Sequence, residues 1–546
     1  MKLKNLHTTF LVLSIAVCNL ASAQLFIDNA QFTIQPGATV TVQGDVTSNT
    51  DILGTGVLQM NGAAAQNLNM NGFSIPNLEI KNPTTVILTG ACKVSTSLLF
   101  TSGKIQSGAF NFTLADVATI SGQGTGKFVE TNGAGQVIKL LTANVTTLEI
   151  PVGSGTTYRP AFLTTSGTYA SASVGVRVAG TPDPNRPPMI SDYLASHWPI
   201  TKTGVTGTVT VAGQYLDAEI TGAEATLKGY YFNGTDWSSA SEAHDFAANT
   251  VSVPITGASG EVFGMDKFIL AKAKAFLQGA YNSVTGVMND NLRTPVNLIP
   301  LSDPYRTAPY NVTFVHVANA ATETANASVF ANQPLTDNNI VDWVFLELRS
   351  STVSPGNTVL QTRSALLKKD GSIVDVDGVS PVTFNNIANG SYTVAVRHRN
   401  HLGLSANPAT SLLALAEQKS TTPLLDLTTA GAAQLFGAAN INYASIGGKN
   451  FLYAGNVSGN GVVRYQGTNG PGAANVSDRI ALLTDLGNNE LNTLNTYQRG
   501  DVTMNGITRY QGTNGPGVFN VSDRVFILGT VLSNTELATK IQSLPN

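Results

Sequence analysis

The feature that most constrains this sequence is a succession of short apolar segments, each closed by glycine or asparagine, with no stretch of helical period. TVTVQGDV from Thr39, PNLEIKN from Pro76 and TTVILTG from Thr84 alternate apolar and polar residues, as half-buried strands do. Strands recur roughly every ten residues, which predicts the stacked rungs of a β-solenoid over residues 24–148. A β-sandwich with the same strand spacing is the alternative.

Asparagine placement favours the solenoid over the sandwich. Asn67, Asn69 and Asn71 alternate along one predicted strand and therefore share a face. In stacked rungs such side chains can pair as ladders with those above and below. With PNLEI at 76–80 and TSGKI at 101–105, this segment resembles the imperfect solenoid repeats of secreted surface proteins of Gram-negative bacteria.

The solenoid is predicted to end where prolines enter the strand pattern. Pro151 and Pro160 cannot donate to a strand ladder. The alternating strands that follow predict antiparallel sandwiches, so the expected fold is mainly β. The predicted division is a β-solenoid at 24–148, a β-sandwich at 149–270, an immunoglobulin-like β-sandwich at 271–416, a linker at 417–454, and a small duplicated module with short helices at 455–546.

The third predicted segment, residues 271–416, contains the most distinctive strand sequences. VDWVFLELR at 341–349 and GSYTVAVRHRNHLG at 390–403 are alternating strands. Over nearly its whole length, residues 271–416 resemble an immunoglobulin-like module that recurs in large bacterial surface proteins, some of them called haemagglutinin-like or adhesin-like. The resemblance implies a fold and a place outside the cell, and it implies no reaction.

The N-terminus predicts export. Lys2 and Lys4 precede the apolar run 10–17, and the small residues 21–23 follow it, as in a signal peptide cleaved before Gln24. The run is shorter than the roughly 20 residues of a membrane-spanning helix. We therefore expect a signal peptide at 1–23, no transmembrane segment, and a secreted, extracellular or cell-surface location.

The charge balance and the cysteine content exclude two features from the expected properties of the chain. Lysine and arginine number 31 against 34 aspartates and glutamates, a net charge of -3. Without a basic excess to neutralise phosphates, nucleic acid is not an expected partner. Cys92 is the one cysteine after the predicted cleavage site, so no disulfide is expected within the mature chain, and Cys92 is predicted to be a buried hydrophobe.

The strongest internal signal is a duplication near the C-terminus. RYQGTNGPGAANVSDR at 464–479 returns as RYQGTNGPGVFNVSDR at 509–524. A loop before each copy places oxygen-bearing side chains at alternate positions and then glycine, the pattern of an EF-hand calcium loop. These residues are Asn456, Ser458 and Asn460 before Gly461, and Asp501, Thr503 and Asn505 before Gly506.

The arrangement resembles the paired calcium loops of dockerin modules, each leading into a short helix, here from Ser477 and from Ser522. The resemblance implies bound calcium and a docking partner. Glycine replaces the carboxylate expected at loop position 12. Asp478 and Asp523 are predicted to return and supply it. The alternatives are loops held by their own hydrogen bonds and aspartates that cap helices.

No cluster predicts catalysis. Parallel solenoids include enzymes that cleave polysaccharides, which usually need two facing carboxylates. The chain has no His-Glu-x-x-His motif, and His398 and His401 would meet only if the strand turned at Asn400. The acidic residues of the solenoid stand singly, at Asp28, Asp45, Asp51, Glu79, Asp116 and Glu130.

The sequence therefore predicts a non-enzymatic structural or adhesive protein outside the cell that binds a surface, a glycan or a partner protein. The alternatives are a scaffold component that docks a partner through a calcium-dependent tail, and a carbohydrate-active enzyme on the solenoid. Tyr230, Tyr231 and Trp237 are interpreted as core residues rather than as a sugar-stacking platform.

Overall fold

The computed structural model describes residues 24–240, 244–294, 297–331, 336–467, 476–512 and 521–546. The predicted signal peptide at 1–23 lies outside the described residues. The chain is mainly β, with 44% strand and 6% helix. The described residues form two compact units: those from 24 to 186 together with those of 192–266, and those of 187–191 together with those of 267–546.

The N-terminal region is solenoid-like. One sheet stacks β1, β4, β7, β9, β11, β14 and β17 in parallel, a second stacks β3, β6, β8, β10, β12 and β15 in parallel, and β2 pairs with β5. Paired residues such as Leu25 and Val46 lie one rung apart. The strands are β1 Leu25–Ile27, β2 Phe32–Ile34, β3 Thr39–Val42, β4 Val46–Ser48, β5 Ile52–Gly54, β6 Val57–Met60, β7 Gln66–Asn69, β8 Ser74–Lys81, β9 Val86–Leu88, β10 Cys92–Ser102, β11 Ile105–Gln106, β12 Phe112–Leu114, β13 Thr119–Ser121, β14 Val129–Glu130, β15 Val137–Leu141, β16 Leu148–Ile150, β17 Val152–Ser154 and β18 Thr157–Tyr158.

Alternation along each strand builds the solenoid interior. In β10 the side chains of Val94, Leu98 and Phe100 point inward and are buried, whereas Leu99 is 39% exposed. Rungs stack closely at the turns: a Cβ on Gly103, whose φ is +78°, would lie 1.7 Å from the carbonyl oxygen of the rung below. Inward alternation and glycine turns together allow parallel stacking.

Two sequence predictions about the solenoid have different outcomes. Cys92 is buried as predicted, and burial raises the pKa of its thiol to about 12. The predicted asparagine ladder is wrong. Asn67 donates to Asp45, Asn69 accepts from the backbone of Asn71, and Asn71 donates to a backbone carbonyl, so the three side chains have unlike partners. Asn67 and Asn71 do bond to the neighbouring rung, but to groups other than asparagine.

The rest of the first unit extends the second solenoid sheet. β15 pairs antiparallel with β19, which pairs with β20 along most of its length. The predicted segments 24–148 and 149–270 therefore share a sheet, although the parallel stacking gives way to antiparallel pairing near Pro151. The strands are β19 Ala161–Val176, β20 Tyr193–Gln214, β21 Ile220–Thr221, β22 Leu227–Phe232, β23 Trp237–Ser239, β24 His244–Asp245, β25 Thr250–Pro254 and β26 Ser259–Asp266, with short 3-10 helices at Asp217–Glu219 and Glu224–Thr226.

The second unit is built on a nine-stranded sheet in the order β33-β27-β32-β31-β30-β34-β35, with β36 and β37 at its margins. The strands are β27 Phe268–Lys274, β28 Tyr281–Asn282, β29 Val287–Met288, β30 Ile340–Arg349, β31 Val359–Lys368, β32 Ser372–Val374, β33 Val382–Asn385, β34 Gly390–His398, β35 His401–Ser405, β36 Leu413–Leu415, β37 Leu424–Asp426, β38 Ala444–Ile446, β39 Lys449–Phe451, β40 Val462–Arg464, β41 Thr493–Leu494, β42 Thr508–Arg509 and β43 Thr539–Ile541. The helices are α1 Ala327–Phe330, α2 Asp478–Asp485 and α3 Asp523–Val525, with a 3-10 helix at Pro304–Arg306 and a π-helix at Phe526–Val531.

One hydrophobic core runs through this second unit. It contains Trp343 of the central strand β30, Leu452 of the predicted linker, and Val502 and Ile527 of the duplicated tail. Residues predicted as a sandwich, a linker and a separate module thus pack in one compact unit. The immunoglobulin-like and dockerin-like identities of these segments stay predictions. Within the described part of the chain, no helix is long and apolar enough to span a bilayer.

The alternation in β10 predicts opposite outcomes for two adjacent leucines. Leu98→Ala removes a fully buried side chain and should lower the free energy of unfolding by about 2–5 kcal/mol. Leu99→Ala, on the exposed side of the same strand, should change it by less than about 1 kcal/mol. Urea denaturation of both variants checks the orientation, and equal losses would contradict the solenoid register.

Candidate functional site

The second loop of the duplication brings three predicted ligand residues together. Thr503 Oγ1 lies 3.1 Å from Asp523 Oδ1 and 3.4 Å from Asp501 Oδ1. All three side chains are buried. The predicted return of Asp523 to the loop is therefore observed, and it joins two carboxylates and a hydroxyl.

Backbone amides fix these carboxylates. Asp501 accepts from the amides of Asn505 and Gly506, at 3.0 and 2.8 Å. Asp523 Oδ1 accepts from Val502 at 3.0 Å, and its Oδ2 accepts from Arg509 at 2.8 Å. The loop is thus held by its own hydrogen bonds, which was one of the alternatives to calcium, while its acidic oxygens stay clustered.

The first loop repeats this geometry with one carboxylate fewer. Asp478 Oδ1 accepts from the amide and the hydroxyl of Ser458, both at 2.9 Å, and its Oδ2 accepts from the amide of Arg464 at 2.8 Å. Asn456 occupies the place of Asp501 and accepts from the amide of Gly461 at 3.2 Å. The predicted return of the aspartate thus occurs in both copies.

The third position of each predicted ligand set turns to the backbone instead. Asn460 Oδ1 accepts from the amide of Val462, and Asn505 Oδ1 accepts from the amide of Ile507, each at 2.9 Å. Both bonds span two residues and close local turns. The structure therefore brings Ser458 to Asp478, and both Asp501 and Thr503 to Asp523, and it uses the third member of each set to shape the loop.

The returning aspartates begin helices but do not cap them. α2 begins at Asp478 and α3 at Asp523. The cap position before α3 is Ser522, whose hydroxyl accepts from the amide of Val525. The aspartate side chains bond instead to loops about twenty residues earlier in the chain, at Ser458 and Thr503.

Burial gives these carboxylates unusual acidities. Burial raises the pKa of Asp478 to about 7. Burial and the neighbouring charge of Asp501 together hold the pKa of Asp523 well above its usual range. Burial also raises the pKa of Asp501, although Arg399 opposes the shift. An all-oxygen donor set with excess negative charge suits Ca²⁺ chemically; these carboxylates favour either a proton or a cation.

A buried charged cluster anchors the second loop to the nine-stranded sheet. Arg399 Nε lies 2.9 Å from Asp342 Oδ2, and Tyr497 donates to Asp342 Oδ1 at 2.6 Å. Asn400 donates to the carbonyl oxygens of Arg499 and Asp501, at 3.0 and 2.7 Å. The sequence analysis considered His398 and His401 as possible ligands. No sequence pattern indicated that residues 397–401 bind the second loop of the duplication.

The chain does turn at Asn400, and the turn brings His398 and His401 together with their Nδ1 atoms 3.0 Å apart. Their other nitrogens have partners: His398 Nε2 lies 3.0 Å from Asp342, and His401 Nε2 accepts from the amide of Gly279 at 3.2 Å. Burial lowers the pKa of both imidazoles. The pair is a hydrogen-bonded part of the anchor at the end of β34.

A second cluster contains the buried Asp303 and Glu323 and the half-buried His316, whose possible ligand atoms lie within 4.8 Å of one another. Two arginines pair with these carboxylates. Arg306 lies 3.2 Å from Asp303 and 3.3 Å from Glu323, and Arg363 lies 3.0 Å from Glu323. Guanidinium groups thus supply the positive charge that a metal ion would bring.

Two other sets of sequence candidates have clear positions. Tyr230, Tyr231 and Trp237 are at most 4% exposed, which agrees with their interpretation as core residues.

Solenoid carboxylates bond between rungs, as Glu79 does with Gln59 and Glu130 with Lys104. These contacts give the acidic residues structural roles in the stacking.

The raised pKa of Asp478 predicts that the free energy of unfolding depends on pH when a chelator keeps metal ions from the chain. Because the folded pKa of Asp478 exceeds its unfolded value, its stabilising contribution is complete below pH ~4 and is lost as pH rises to about 7. Asp478→Asn should flatten this fall, while the exposed Asp377→Asn should not. Urea denaturation between pH 4 and 8 measures the slopes, and equal slopes in all three proteins would refute the assignment.

Comparison of the chain with protein-family models, with curated proteins and with solved structures finds no match in any of the three.

Proposed function

We propose that this chain is exported and acts outside the cell as a structural and adhesive protein, with the solenoid as its contact surface for a glycan or an extracellular protein. The proposal for export rests on the predicted signal sequence. The observation that carries the adhesive role is a continuous row of polar side chains on the outer face of the second solenoid sheet.

Hydrogen bonds connect this row from rung to rung. Thr41 donates to Gln59 Oε1 at 3.2 Å, and Gln59 donates to Glu79 Oε2 at 2.7 Å. Thr101 donates to Glu79 Oε1 at 2.7 Å. We call these four residues the polar row. Thr41 and Thr101 are exposed, and Gln59 and Glu79 are partly exposed.

Two properties of the polar row suit recognition of a polar ligand. Its side chains are held by neighbouring rungs, so little conformational entropy is lost when they bind. Hydroxyl, amide and carboxylate groups together supply donors and acceptors for sugar hydroxyls or for polar groups of a protein. Exposed Leu99, on the same sheet, adds apolar area beside them.

Lysine substitution of the polar row should weaken binding. We expect the double variant Thr41→Lys, Thr101→Lys to bind the same glycans or envelope proteins at least about tenfold more weakly than the unmodified mature chain, a loss of ~1.4 kcal/mol. Asn67→Lys, exposed on the first solenoid sheet, is the matched control. A glycan array and a pull-down from cell envelope identify the ligand, and unchanged binding by the double variant would refute the proposed surface.

A scaffold role with a calcium-dependent tail is the second candidate, favoured by the clustered oxygens of Asp501, Thr503 and Asp523. Calcium would neutralise the two buried carboxylates, and with so few carboxylates affinity should be weak, with a Kd of roughly 10⁻⁴–10⁻³ M. Since the tail shares the core of the second unit, the whole mature chain is the proper sample.

Millimolar calcium should raise the Tm of the mature chain at pH 7.5, because binding only to the folded state stabilises it. The increase should disappear in Asp523→Asn and persist in Asp377→Asn. Differential scanning calorimetry with calcium, magnesium or chelator measures the effect. Identical Tm values in calcium and chelator would remove the metal from this hypothesis.

A further inference from the structure

An open cavity of about 480 Å³ lies in the first unit, where antiparallel strands extend the second solenoid sheet. Pro199 of β20 pairs with Glu261 of β26, which pairs with Phe232 of β22. On the other side of Pro199, its carbonyl oxygen accepts from the amide of Arg177, the residue after β19. Residues opposite one another in a sheet share a face, so this row of side chains lines one cavity.

The guanidinium of Arg177 is an unused cation in this cavity. The first unit has two other arginines, of which Arg159 pairs with Glu219 and Arg186 stacks over Tyr193. The half-buried side chain of Arg177 has no ion pair, hydrogen bond or ring contact among the described residues. A guanidinium carries donors in a fork that matches a carboxylate. Arg177 therefore offers the cavity a site for an anionic group.

Two carboxamides add further donors to the same cavity. Gln136, which precedes β15, accepts from the hydroxyl of Thr201 through its Oε1, at 2.8 Å. Asn233, which follows β22, accepts from the amides of Thr235 and Asp236 through its Oδ1, at 2.9 and 2.8 Å. The oxygen of each carboxamide is thus occupied, whereas neither nitrogen has an acceptor in the part of the chain that the structure describes. These nitrogens are available to the oxygen atoms of a ligand.

The opposite wall of the cavity is acidic. Glu261 stands two strands from Arg177, about 10 Å away across Pro199. Its carboxyl group lies within hydrogen-bond reach of that of Asp183, and its Oε2 lies 4.0 Å from Nε2 of His197. Burial and the contact with Glu261 raise the pKa of Asp183 to about 8, so the two carboxyl groups share a proton near neutral pH. This wall can accept hydrogen bonds from a ligand without carrying two full negative charges.

We propose that this cavity binds a uronic acid residue of an acidic glycan, with the sugar carboxylate held by Arg177. Sugar hydroxyls can donate to Glu261 and accept from the carboxamides of Gln136 and Asn233. The half-buried ring of Phe232 supplies apolar surface for a C–H face of the sugar. The volume of the cavity lies within the ~300–1,000 Å³ of small-molecule sites.

The combination of groups favours a sugar acid over an acidic peptide. One hexuronic acid ring carries both a carboxylate and several hydroxyls, which matches a cation and an acceptor on opposite walls, whereas an acidic side chain carries the carboxylate alone. The assignment rests on the proposed glycan-binding role but uses a different surface, because no residue of the polar row lines this cavity.

Isothermal titration calorimetry of the mature chain with digalacturonate at pH 7.5 tests the proposal. We expect at least about tenfold weaker binding in Arg177→Gln, a loss of ~1.4 kcal/mol. The dimethyl ester of digalacturonate keeps the sugar hydroxyls and loses the charge, so it should bind the unmodified chain at least about tenfold more weakly. Lys81→Gln, which removes an exposed cation of the same unit outside the cavity, is the matched control and should bind normally.

Two further measurements separate this site from folding and from the polar row. Arg177 has no protein partner, so Arg177→Gln should keep the Tm of the unmodified chain. The ester comparison needs no variant and therefore holds whatever the substitution does to stability. Thr41→Lys, Thr101→Lys should bind digalacturonate at least as tightly as the unmodified chain, so the polar row and this cavity can fail separately.

Four results would overturn the proposal. They are no binding of either digalacturonate or D-glucuronate to the unmodified chain, equal binding of digalacturonate and its ester, normal binding by Arg177→Gln, and tighter binding of tetraglutamate than of digalacturonate. The last result would assign the cavity to acidic peptides.

Discussion

The buried pair of Asp342 and Arg399 is the interaction on which the second unit depends. Both side chains are fully buried. Burial alone would raise the pKa of Asp342, but the charge of Arg399, together with the contacts of His398 and Tyr497, lowers it. Arg399 also donates to the carbonyl oxygen of Gln498, and Tyr497 donates to Asp342. One ion pair thus joins the central strand β30, the turn after β34 and the tail, and removal of either partner would leave a buried charge without compensation.

This anchor changes how the duplicated loops should be understood. Asn400 holds the carbonyl oxygen of Asp501, while the charge of Arg399 acts on its carboxylate. A proton or a cation bound at Asp501 and Asp523 therefore affects the contacts by which Arg399 and Asn400 connect the second loop to the nine-stranded sheet. A dockerin-like partner would meet loops that are already packed against their own chain.

Much of the solenoid could be predicted from the sequence because its strands and turns are determined by residues that are close together in the chain. The alternation of apolar and polar residues predicts which side chains of β10 point inward. The equal spacing from Arg464 to Asp478 and from Arg509 to Asp523 predicted that each aspartate returns to its loop. Pairing between distant strands carries no such pattern. Nothing in the sequence indicates that β15 pairs with β19, or that residues around 342, 399 and 497 meet, so the extent of each compact unit could not be predicted.

The same reasoning explains why the cluster of Asp183, His197 and Glu261 could not be found in the sequence and why it differs from the other acidic clusters. Asp183, His197 and Glu261 come from a loop and two strands, with none of the spacing of a motif. Arginine forms ion pairs within the clusters around Asp342 and Glu323 and supplies the compensating charge. No ion pair with arginine is found for Asp183 or Glu261 among the described residues, and burial with the neighbouring carboxyl raises the pKa of Asp183 to about 8. In a chain with only 12% charged residues, few arginines are available for buried acids, and a proton shared between the carboxyl groups of Asp183 and Glu261 reduces their repulsion where no ion pair does.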